Sequence, residues 1–225
     1  MRAGRRVLAG LAVLVVLKVT VQIVLGYRSY FPPSFVSDFL RGRESHFFGV
    51  YQWAFYPHIV GGPIALLLGL LLLSERLRVR WPHGHRLLGR VHVANVLLVV
   101  APSGLWMAGY THLGRFAATG FALLSVLTFT CTALGWRAAV CKRFHTHRRW
   151  MWRSYLLLSS AVVLRLFGGF GTSLGVMPEW YDPVTAWASW ILPLAVFEWW
   201  TWRTAHKAAN QSGAVPPPSL ESTGT

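Results

Sequence analysis

Three basic side chains, Lys18, His58 and Arg165, fall inside stretches apolar enough to cross a membrane. An ionisable group at membrane depth is costly to bury and is a candidate functional position by default. His58 stands seven residues past Tyr51, about 10 Å below the outer surface of a helix that rises about 1.5 Å per residue. Arg165 stands six residues before Gly171, at about the same depth. Lys18 lies near the middle of the first apolar run. No acid shares that depth, so a pocket lined by these groups suits an anion or a polar head: a carboxylate, a phosphate, a lipid headgroup, a cofactor propionate or a quinone. The alternative for Lys18 and Arg165 is that their long stems snorkel to the interface.

A second constellation is expected at the opposite membrane edge. His85-Arg86-Leu87-Leu88-Gly89-Arg90 opens one apolar run, and His147-Arg148-Arg149-Trp150-Met151-Trp152-Arg153 opens another. Two imidazoles at matching depth on diagonal helices can clamp a b-type haem. His85 and His147 are the expected ligands, Arg86 and Arg148 the expected propionate anchors, and His92, one heptad deeper than His85, the reserve ligand. Equally, the His-Arg pairs can cap helices and bind anionic headgroups. Fifteen residues separate His58 from Leu73, or about 22 Å, so His58, His85 and His147 cannot share one metal ion. His112, in a short outer loop, is the one other histidine placed to approach His58. No Ser-His-Asp or two-carboxylate constellation supports an intramembrane hydrolase.

These residues need helices to position them. The chain has 225 residues, 54% of them hydrophobic and 13% charged, with a formal net charge of +15. Six spans of about 20 residues account for the hydrophobic share, and 12 Trp residues suit two interfacial belts. That composition argues against a soluble enzyme or a disordered polycation. The spans read as Val7–Gly26, Tyr51–Leu73, Val91–Tyr110, Phe116–Trp136, Ser154–Gly171 and Val184–Trp202. Together residues 1–206 form an all-α, six-span membrane domain with a four-helix core from spans two to five. Residues 207–225, with Pro216-Pro217-Pro218, read as a disordered cytoplasmic tail. The first run is an uncleaved span, because Val24-Leu25-Gly26-Tyr27 is a poor signal-peptide cleavage site.

Basic residues set the orientation. With the N-terminus cytoplasmic, sixteen of the 22 Lys and Arg fall on the cytoplasmic side and four outside. Both termini are therefore expected in the cytoplasm of a bacterium, with the domain in its inner membrane. The long first outer loop, Tyr27 to Val50, mixes aromatics with charge and is expected to lie partly on the membrane surface. Pro63, Pro102 and Pro193 should kink spans two, three and six. Gly61-Gly62 reads as close packing, or as backbone carbonyls opened towards a ligand. Glu198 should pair with a cytoplasmic arginine, and Trp199, Trp200 and Trp202 should anchor the interface. Cys131 and Cys141 are too few for a disulfide framework. The basic loop from Arg137 to Arg153 should meet anionic headgroups, not nucleic acid.

Three motifs in order carry a resemblance. Phe55-Tyr56-Pro57-His58-Ile59-Val60-Gly61-Gly62, with Ala65-Leu66 and Gly69, is the first, and His85-Arg86-Leu87-Leu88-Gly89-Arg90-Val91 the second. His147-Arg148-Arg149-Trp150-Met151-Trp152-Arg153-Ser154-Tyr155, closing on Leu164-Arg165-Leu166, is the third. From Phe55 to Phe170 the chain resembles an uncharacterised bacterial membrane family, domain of unknown function 2306. The resemblance implies a multi-span membrane protein and singles out His58, His85, Arg86, His147, Arg148 and Arg165. A looser likeness is to cytochrome b561-type proteins, which hold two haems between paired histidines, although span four here contains no histidine. Two functions are therefore expected. One is a b-haem or redox-associated membrane protein with His58 and Arg165 at an outer quinone or anion site. The other is a cofactor-free small-anion transporter or lipid-binding accessory protein.

Overall fold

Long apolar runs become long helices because a bilayer offers their backbone no other hydrogen-bond partner. The computed structural model describes residues 2–37, 39–175 and 177–212. Helix α1 is Arg2–Gly26, and a single turn of helix, α2 (Glu44–His46), follows the outer loop. The second span is a π turn over Phe47–Tyr51 and then α3 (Gln52–Leu72). A short helix, α4 (Glu75–Arg80), links it to the third span, which comprises α5 (Pro82–Asn95), a π turn over Val96–Val100 and α6 (Ala101–Ala108). The fourth span is α7 (Gly114–Val140) and the fifth is α8 (Phe144–Leu158) with α9 (Ser160–Leu174), broken at Ser159. The last helix is α10 (Tyr181–Ser212).

Among the described residues, five helical stretches are long and apolar enough to cross a membrane: Val7–Ser29, Glu44–Leu72, Pro82–Ala108, Gly114–Val140 and Phe144–Leu174. Helix α10, the sixth expected span, falls outside that set. It nevertheless runs beside α7 through the same thickness. Trp187 near its start donates to the Phe116 carbonyl near the start of α7. Eleven residues further on, Glu198 meets Arg153 of α8. Large apolar side chains such as Leu8, Leu14, Leu98, Val140 and Val196 are exposed, a surface that belongs in lipid.

The expected four-helix core is present. The second span packs against the third and the fifth, and the fourth also packs against both. The third and fifth therefore stand on one diagonal, with α1 against α3 and α9, and α10 against α7, α8 and α9. Val19 and Ile23 of α1 join Ala65, Leu66, Val96, Val100, Leu158 and Val162 in one apolar core cluster.

The helices outrun the apolar stretches. The third begins at Pro82 instead of Val91, and the fifth at Phe144 instead of Ser154, because proline is preorganised for a first helical turn and basic residues are good helix formers outside the bilayer. Helix α10 continues to Ser212, and the expected tail beyond it lies outside the described residues. The outer loop has a buried side as well as exposed apolar residues such as Phe31, Val36 and Phe48. Leu40, Phe47, Tyr51, Phe55 and Ile59 bury together, with Tyr27, Tyr30, Phe35, Tyr56, Met107 and Tyr110 packed around them, so the loop folds back as an aromatic cap on the bundle.

Candidate functional site

Beneath that cap lies a cavity of about 260 Å³. Proline and π-turn geometry shape its walls. Pro63 has no N–H to offer the Ile59 carbonyl four residues earlier, and the Tyr27 hydroxyl donates to that carbonyl instead. In the third span the π turn over Val96–Val100 precedes Pro102. π turns of this kind recur at functional sites. Here the Val100 carbonyl oxygen lies 3.2 Å from His58 Nδ1, and Ser103 Oγ lies 3.0 Å from it.

These contacts assign the proton on His58. A carbonyl only accepts, so Nδ1 carries the hydrogen and donates. Ser103 Oγ itself donates to the Val99 carbonyl at 2.5 Å, which leaves its lone pairs for His58. The ring's other nitrogen, Nε2, is then the acceptor, with no hydrogen-bond partner among the described residues. Gly104 makes room for the ring: a Cβ there would lie 3.0 Å from His58 Cε1 and 3.0 Å from Ser125 Oγ.

His58 and Arg165, matched by depth in the sequence, line this one cavity. Arg165 Nη1 donates to the Ala161 carbonyl at 3.1 Å, and the rest of the side chain is exposed. Lys18 is exposed on α1 and does not line the cavity, so snorkelling describes it. A second guanidinium, that of Arg43, comes from the loop between α1 and α3. Arg43 is only 5% exposed, its guanidinium lies 4.8 Å from the centre of the Phe39 ring, and its Nη1 donates to the Phe39 carbonyl. The Arg43 guanidinium lies beside the buried Tyr51 side chain, 5.8 Å from the centre of its ring, and both residues line the cavity, as do Tyr27 and Tyr30. Among the described residues no carboxylate lines it. Sequence reasoning missed Arg43, although the signal was present: Phe47, Tyr51, Phe55 and Ile59 recur every four residues, a helical stripe that draws the preceding loop inward.

His112 lies outside the spans, close enough to Arg43 and Asp182 to feel their charges. Burial, with help from Arg43, pushes its pKa below the usual value, against the opposing pull of Asp182. It does not line the cavity.

At the opposite edge, His147 Nδ1 donates to the Gly135 carbonyl of α7 at 2.9 Å, which leaves Nε2 as its acceptor. His85 lies within electrostatic range of His147, as the diagonal packing requires, and its Nδ1 is buried without a partner. Arg86 and Arg148 are exposed, and Arg86 Nη2 sits 3.1 Å from His83 Nδ1. Neither His85 nor His147 lines the 260 Å³ cavity. His92 is buried with its Nδ1 unpartnered. It packs with Tyr155 against Gly69, where a Cβ would come within 2.6 Å of the Tyr155 ring and 3.3 Å of His92 Cε1.

The remaining expectations are resolved by contacts. Glu198 pairs with Arg153 through two bonds, of 2.6 and 2.9 Å. Gly61 serves close packing: a Cβ would sit 2.9 Å from Asn95 Oδ1, and Asn95 Nδ2 donates to its carbonyl at 2.8 Å. Among the described residues no group of three or more His, Cys, Asp or Glu could hold a metal ion.

No curated protein and no solved structure matches the chain, which leaves the looser likeness to cytochrome b561-type proteins unsupported. Residues 55–201 match a family described as a predicted membrane protein. They contain every motif residue named above, and with that match the chain belongs to the family of domain of unknown function 2306.

Proposed function

We propose that this membrane protein binds an oxyanion head group in the capped cavity, as a lipid-binding or small-anion-handling protein of the bacterial inner membrane. The observation that carries this reading is the convergence of Arg43, His58 and Arg165 on one cavity that no carboxylate lines among the described residues. Guanidinium groups bind carboxylate and phosphate oxygens through charge-assisted, often bidentate bonds. The mostly apolar surround strengthens them by excluding water. The distribution of basic residues supports cytoplasmic termini, which sets the cavity in the outer half of the membrane.

Calorimetric titration of the protein in phosphatidylcholine nanodiscs with dodecyl phosphate, corrected with empty discs, tests this reading. Saturable binding is expected, weakened roughly tenfold or more by Arg43→Gln and by Arg165→Gln, since a hydrogen bond to a charged group contributes about 1.5–3 kcal/mol. Absence of saturable binding, or binding indifferent to both substitutions, would contradict it.

A second reading is favoured by the ring geometry at the inner edge. It assigns a b-type haem to His85 and His147, with Arg86 and Arg148 at the propionates. An Nδ1–H held by a backbone carbonyl, as in His147, is the usual support for a metal-binding imidazole. Bound there, haem would supply one-electron transfer. The check is an absorption spectrum, oxidised and then reduced with dithionite: b-type bands lost in His85→Ala and His147→Ala support this reading, and a colourless preparation from haem-replete cells refutes it.

A further inference from the structure

The cavity's walls say more about its ligand than its charge does. Most of the lining is apolar, including Ile23, Leu66, Val100, Leu158 and Leu164. A free inorganic ion gains nothing from such surface, whereas an alkyl chain gains about 25 cal/mol for each Å² it buries. The space holds roughly nine waters' volume at about 30 Å³ each, enough for a head and a few carbons. A longer chain must leave the cavity.

The outer end is covered by the cap, where Leu40 and Phe47 are fully buried and Tyr51 is 1% exposed. On the side, Arg165 lines the cavity and is itself exposed. That side is framed by Ile23 and Tyr27 of α1 and by Ala161 and Leu164 of α9.

The hydrogen-bonding pattern narrows the head. Arg43 and Arg165 only donate, while neutral His58 presents Nε2 as an acceptor. The head must therefore offer anionic oxygens and one O–H together. A phosphate monoester monoanion has both. A carboxylate and a quinone have acceptors alone. We infer that the site takes the phosphate monoester head of a single-chain amphiphile, which enters sideways from the membrane between α1 and α9 with its chain left in lipid.

This rests on the oxyanion reading, and the test separates the two. In the same nanodiscs, dodecyl phosphate and inorganic phosphate are titrated into the native protein and into Ala161→Trp, which fills the lateral gap. Dodecyl phosphate is expected to bind at least tenfold tighter than inorganic phosphate. Ala161→Trp is expected to bring the ratio of the two affinities down to within about twofold of one while leaving the thermal midpoint unchanged. Equal affinities for the two probes, or an advantage that survives in Ala161→Trp, would overturn lateral admission and leave the oxyanion site standing. If neither probe binds, both readings fall. Should Ala161→Trp lower the thermal midpoint, Leu164→Trp, on the same rim, replaces it.

Discussion

At the scale of single residues, each of the three basic side chains that line the cavity meets a backbone carbonyl. His58 donates to Val100, Arg165 to Ala161 and Arg43 to Phe39. Side chains held this way lose little freedom when a ligand arrives, which is the condition for a preorganised site. The Tyr27 hydroxyl plays a supporting part by donating to the Ile59 carbonyl that Pro63 leaves unpaired. Tyr27→Phe should cost about 1 kcal/mol and lower the thermal midpoint by roughly 2–4 °C for a chain of this size. The measurement is a melt in nanodiscs, and an unchanged midpoint would show that the bond contributes nothing. His58 and Arg165 were legible in the sequence because depth follows from residue counting along a helix. Arg43 was not, because its place depends on how the loop closes.

At the scale of elements, hydropathy located the membrane crossings but not the helix ends. The inner turns from Pro82 and Phe144 are helical outside the apolar runs, so His85 and His147 stand inside helices and not ahead of them. Pro102 announced a break in the third span. It did not announce the π turn at Val96–Val100, whose shifted register presents the Val100 carbonyl to His58. The aromatic loop's composition suits an interface, and burial of Leu40, Phe47 and Tyr51 adds the packed side that makes it a cap. Diagonal packing of spans three and five was legible, since short connections force antiparallel neighbours.

At the scale of the whole molecule, the excess positive charge is expected to set orientation, and only a few basic side chains line the cavity. Free Cys141 is exposed at the α7–α8 turn, whereas Cys131 is buried. If the basic side is cytoplasmic, a membrane-impermeant maleimide should label Cys141 in inverted vesicles and not in intact cells with the outer membrane permeabilised. Labelling from the outside would reverse the topology and move the cavity to the other leaflet. The chemistry of the cavity would be unaffected, because it depends on two guanidinium groups and an imidazole converging where no described carboxylate lies.

That convergence is tested most directly by titrating dodecyl phosphate into nanodiscs that carry the native protein, the double variant Arg43→Gln with Arg165→Gln, and Arg165→Lys. The account predicts saturable binding to the native protein, a loss of roughly a hundredfold or more in the double variant, and partial retention in Arg165→Lys, which keeps the charge but not the planar fork. Equal binding to all three proteins, or none to the native one, would contradict it.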